Sequence, residues 1–132
     1  MLMSMVISVF GVWQPKEHIG AQLVNQPNTL VWNELQTRDV NGAKDFYAAV
    51  FGWTYETDDS GYVAVSQGGR MQAGMMANRD DWGPTPPNWS VYIMVADINV
   101  SAAKVTELGG NVLRPPFPVG EMGLLSVVQD PQ

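Results

Sequence analysis

Between Leu30 and Thr37 the chain alternates. Leu30, Trp32, Glu34 and Gln36 fall on one face of a strand, and Val31, Asn33, Leu35 and Thr37 on the other. The period then changes to that of a helix. Asp39 is an N-cap residue, and Ala43, Phe46, Tyr47, Val50 and Phe51 recur at three- and four-residue steps. Gly52 stands where a glycine ends a helix. Short strands are predicted near Thr54–Glu56, Tyr62–Ser66 and Met71–Ala77, the last two joined through Gly68-Gly69, a hairpin signal. Residues 78–88, NRDDWGPTPPN, carry three prolines and a glycine and read as a linker or long loop. A strand over Ser90–Ala96 follows, with Val91, Ile93 and Val95 on one face and Ser90, Tyr92 and Met94 on the other. A second helix is predicted from Ile98 to Leu108, closed by Gly109-Gly110. Two more strands are predicted near Val112–Leu113 and Leu124–Val128, separated by the proline-rich RPPFPVGEMG. Upstream, Val6 to Trp13 reads as a strand and residues 14–28 as a polar connector.

Two stretches repeat. A strand, Asp39-Val40-Asn41, a helix and Gly52 form one; a strand, Asp97-Ile98-Asn99, a helix and Gly110 form the other, with thirteen residues from Asp to Gly in both. The first copy continues into three strands and the second into two, so the second copy is one strand short. The organisation read from this is an N-terminal strand plus connector over residues 1–29, a βαβββ module over 30–78, a linker over 79–88 and a βαββ module over 89–132, together one domain.

Composition narrows the function. The chain has 132 residues, 13 Asp and Glu against 7 Lys and Arg, and a net charge of -6. So acidic a chain is repelled by phosphate backbones, which argues against nucleic acid as a partner. There is no cysteine. That excludes disulfides, thiolate metal sites and cysteine nucleophiles, and it fits a reducing cytoplasm. The apolar start, MLMSMVISVFGVW, has no Lys or Arg ahead of it and is too short to span a bilayer, so a strand is expected there rather than an export signal or membrane anchor.

The block DFYAAVFGW (Asp45 to Trp53), the Gly68-Gly69 hairpin, the Asp-aliphatic-Asn helix entry and the late VVQDPQ resemble the vicinal oxygen chelate superfamily of glyoxalases, bleomycin-resistance proteins and extradiol dioxygenases. The likeness runs from about Leu30 to Gln132. It implies an α+β fold in which paired βαβββ modules form a curved mixed sheet around a cavity. SVFGVWQP resembles the closing strand of such a module. The N-terminal segment is therefore expected to supply the strand missing beside Leu124–Val128, within one chain as a permuted fold or between two chains as a swapped homodimer.

The resemblance also implies where chemistry sits. Enzymes of that family hold a divalent metal with His, Glu or Gln on inner strand faces. The corresponding places here are Trp32, Ser90, Gly11 and Gln72. One amide with no histidine or carboxylate is a poor hard-cation set, so no metal and no cofactor is expected. His18, the one histidine, lies in the polar connector and reads as a solvated loop residue. In the family layout, Trp32, Glu34, Gln36, Tyr92 and Met94 line the cavity, Gln72 joins them, and Trp82 and Trp89 flank its mouth. An aromatic cleft with one carboxylate suits a partly aromatic or cationic small molecule. Metal-independent binding of such a ligand is the leading expectation. A glyoxalase- or dioxygenase-like enzyme and a ligand-free interaction module are the alternatives.

Overall fold

A computed structural model describes residues 7–82 and 85–132, with the side chain of Trp82 left aside. The described residues divide into two compact units. The larger holds those up to Val24 together with Leu30–Ile93, and the smaller holds Asn25–Thr29 and Met94–Gln132.

The larger unit is a five-stranded mixed sheet with one helix. Its strands are β1 (Leu30–Thr37), β2 (Thr54–Thr57), β3 (Val63–Gln67), β4 (Arg70–Ala77) and β5 (Asn88–Ile93), in the order β2-β3-β4-β1-β5. β1 runs parallel to β4 and antiparallel to β5. The helix α1 (Val40–Phe51) follows β1 directly. The Oδ1 of Asp39 accepts from Gly42 N–H at 2.9 Å, and Gly52 ends the helix in the left-handed region. Alternation decides what is buried. Leu35 on β1, Val63 and Val65 on β3, and Ala73 and Met75 on β4 turn to one face and meet Tyr47 of α1, and these six side chains form the buried core. Each fully buried aliphatic side chain there contributes roughly 1.5–3 kcal/mol. The aromatic stripe thickens this layer. The Tyr47 ring stacks on Trp53 at 5.1 Å and meets Trp89 edge-on at 5.6 Å.

Among the described residues of the single chain, the strand expected at the N-terminus is not formed. Val6 lies outside the described residues, and Ile7–Trp13 runs without strand or helix. Its Phe10 instead rests on α1, with ring centroids 5.5 Å from Tyr47 and 6.1 Å from Phe51. These two ring contacts join the segment to an existing aromatic cluster, with no backbone ladder among the described residues.

The smaller unit holds α2 (Ile98–Glu107), β6 (Asn111–Val119) and β7 (Gly123–Gln129), the two strands forming an antiparallel ribbon. The proline-rich stretch expected to separate them is itself strand. Pro115, Pro116 and Pro118 lie inside β6, and the β6–β7 register shifts on either side of Arg114, before Phe117. Proline lacks the N–H that a ladder needs, so it is tolerated on a strand paired on one side and at such irregularities. Asp97 caps α2, its Oδ1 accepting from Asn99 N–H at 2.9 Å and Val100 N–H at 3.1 Å. Asp97→Ala is expected to lower the stability of this unit by about 1 kcal/mol, read as a shift of its chemical-denaturation midpoint with an unchanged slope.

Candidate functional site

The second face of the larger sheet, opposite α1, carries the polar chemistry. Pairing of Trp32 with Tyr92, Glu34 with Ser90 and Gln36 with Asn88 across β1 and β5 puts these side chains on that face. Glu34 is the buried member, 6% exposed. Its Oε2 accepts from the Tyr62 hydroxyl at 2.7 Å, and its Oε1 accepts from the Tyr92 hydroxyl at 2.7 Å. The Gln36 amide donates more weakly to Oε1 at 3.4 Å. Tyr62 is also an acceptor, taking the Trp32 indole N–H at 3.0 Å. A continuous chain therefore runs from the indole through one phenol to the carboxylate, and a second phenol closes it from β5.

Both phenols hold their protons more tightly than an ordinary tyrosine. Burial is the main cause for each, and the hydrogen bond to Glu34 adds to it, because a phenolate beside a carboxylate would lose the bond and gain a repulsion. At neutral pH they are fixed donors to Glu34. Among the described residues no Lys or Arg pairs with this carboxylate. A buried glutamate is ordinarily paired with a cation.

The other expected site residues lie elsewhere. Gln72 is exposed on β4, at the point where the β3–β4 register shifts between Val65 and Ser66. Trp89 turns to the helix side, packs against the core cluster and donates its indole N–H to the Tyr47 hydroxyl at 3.0 Å. Met94 follows β5 and belongs to the smaller unit, where its backbone bonds Asn28 and Thr29. Trp82 ends a 3-10 turn, Asp80–Trp82, and its side chain lies outside what is described. Tyr62 is the residue that sequence reasoning missed. The alternation of Tyr62, Ala64 and Ser66 against Val63 and Val65 carried the signal, since the valines had to take the core face.

Of the four places that the resemblance assigns to a metal, Gln72 alone carries a side chain able to act as a ligand, and it is exposed on β4. The Trp32 nitrogen is a donor, the Ser90 hydroxyl donates to Asn88 Oδ1 at 2.8 Å, and Gly11 has no side chain. Among the described residues no three His, Cys, Asp or Glu side chains come together. An almost wholly apolar hollow in the smaller unit, between Val105, Leu108, Val128 and Pro131, lacks the convergence of hydrogen-bonding groups found at Glu34. No helix among the described residues is long and apolar enough to cross a membrane.

Comparison with known proteins bears on the same region. Residues 26–132 match the model of the Glyoxalase/Bleomycin resistance protein/Dioxygenase superfamily. The chain is similar to a Mycobacterium tuberculosis protein named "Putative glyoxylase CFP32", with 36% identity over 126 residues, 92% of this chain and 48% of that protein. It is also similar to the anthracycline biosynthesis protein DnrV of Streptomyces peucetius, with 29% identity over 121 residues, 80% of this chain and 44% of that protein. The chain thus spans about half the length of the curated relatives it matches. The repeated strand–helix pattern, the mixed sheet and the family match agree, and the chain belongs to the glyoxalase/bleomycin resistance protein/dioxygenase superfamily.

Proposed function

We propose that this chain binds a small organic molecule with a cationic group and a flat aromatic part, without a metal, on the sheet face around Glu34. One observation carries the reading: a buried carboxylate that accepts from two phenols and has no cationic partner among the described residues. The ligand supplies the missing positive charge. Its ring is received by the Trp32 and Tyr92 side chains beside the carboxylate, as aromatic faces receive cations and flat groups. The donor set argues for metal independence. Both Glu34 oxygens are taken by hydroxyl donors, and a tryptophan, a serine, a glycine and a lone glutamine stand where the family enzymes place their ligands. Pairing of two copies belongs to the same reading, since the relatives are about twice as long as this chain.

Benzyltrimethylammonium and benzyl alcohol are suitable probes, titrated by calorimetry with and without a chelator. The wild type is expected to bind the cation in both conditions. Glu34→Gln should weaken the cation by about ten- to hundredfold, the range of a charge-assisted contact, and leave the alcohol nearly unchanged. Equal loss for both probes, or binding abolished by the chelator, contradicts the proposal.

A further inference from the structure

Gly74 on β4 is the register partner of Glu34 on β1 and of Ala64 on β3, so its missing side chain would stand on the face that carries the carboxylate. Its backbone gives no reason for a glycine, since its φ is not in the left-handed region. The reason lies above it. A Cβ at position 74 would collide with Tyr62; the three nearest atoms are that residue's hydroxyl oxygen, Cζ and Cε1. Tyr62 stands beside β3 and bonds a group on β1, so its ring has to cross the intervening β4. It crosses at Gly74.

We propose that Gly74 is the positioning residue of the Glu34 site: a bare backbone at 74 opens the slot through which the Tyr62 phenol reaches Glu34 and holds the Trp32 indole. Any side chain at 74 lifts the phenol. That frees one carboxylate oxygen and removes the acceptor of the indole N–H, so the aromatic surface loses its fixed orientation. The effect on ligand rests on the binding role proposed above; the effect on Tyr62 does not.

The test uses Gly74→Ala, Tyr62→Ala and the double variant in the full chain, with three measurements. Alkaline spectrophotometric titration is expected to show one strongly shifted tyrosine returning toward the ordinary range in Gly74→Ala, with Tyr92 still shifted. Benzyltrimethylammonium affinity is expected to fall about tenfold in either single variant and no further in the double. In the Tyr62→Ala background the alanine at 74 is expected to be harmless to the melting temperature, because alanine is the better strand residue once nothing occupies the slot. Should Gly74→Ala alone fail to fold, a folded double variant still supports the proposal. An unaltered tyrosine titration in Gly74→Ala overturns it, as does an alanine at 74 that is equally damaging with and without Tyr62. If the probe does not bind the wild type, the ligand reading fails while titration and melting still decide the role of Gly74.

Discussion

Tyr47→Ala is expected to cost about 3–5 kcal/mol, close to the whole stability of a marginal domain. Tyr47 is the hub of the aromatic layer. Its ring stacks on Trp53 at 5.1 Å and Phe51 at 6.2 Å, and meets Phe46, Phe10 and Trp89 at 5.0, 5.5 and 5.6 Å. Removing it opens a cavity under α1 that no neighbour can fill without leaving its own contacts. It also strands the Trp89 indole N–H, which donates to the Tyr47 hydroxyl. Tyr47→Phe separates the two effects, because it keeps the ring and is expected to cost about 1 kcal/mol. Urea denaturation followed by tryptophan fluorescence measures both. Equal costs for the two variants would mean that the hydroxyl, not the packing, matters.

The second large effect is alkaline destabilisation through Tyr62 and Tyr92. Their phenols are raised above the ordinary value, by burial first and by Glu34 second. A raised value means that the folded state holds the proton more tightly than the unfolded chain does. The stability it contributes is complete below the unfolded value of about 10 and is lost as the pH climbs from there through the folded values. The denaturation midpoint of the wild type is therefore expected to hold steady to about pH 10 and then drop steeply. The Tyr62→Phe/Tyr92→Phe variant should start lower at neutral pH, having lost two hydroxyls to Glu34, and drop less above it. Tyr55, also raised by burial, remains in that variant and accounts for the residual slope. A wild-type midpoint unchanged across the alkaline range would show that the hydroxyls are not committed to Glu34.

The part of the site on β1 was legible in the sequence because strand alternation is local. Leu35 needed the core, so Trp32, Glu34 and Gln36 had to take the other face. Tyr92 followed by the same rule. Tyr62 reached the site from two strands away, across a glycine, and no period in the sequence encodes that crossing. Trp89 obeyed alternation too, as the register partner of Leu35 on the opposite face from Tyr92, and so turned to the helix side. Gln72 was placed by the family resemblance on the strand after the hairpin, and the register shifts there, a one-residue irregularity that moves a side chain off the expected face. The prolines of β6 misled for a different reason. They exclude a central strand, and β6 belongs to a two-stranded ribbon. The N-terminal segment has strand composition, but composition does not name the partner strand, and in the single chain Phe10 lies against α1.

The order of the larger sheet carries a consequence for how the protein is made. β2, β3 and β4 are joined by short connections and can pair as soon as they are synthesised. β1 precedes them, and its partners, β4 and β5, arrive only after dozens of further residues. β1, an interior strand, is thus the one that waits longest for both neighbours, a non-local pairing of the kind that slows folding. While it waits, Leu30–Thr37 is a half-apolar, strand-forming segment with two free edges, the kind that self-associates. Glu34 sits in its middle. A charge that ends up enclosed by two phenols in the folded sheet spends the interval before folding in water, where a charge in such a segment opposes its pairing with like strands.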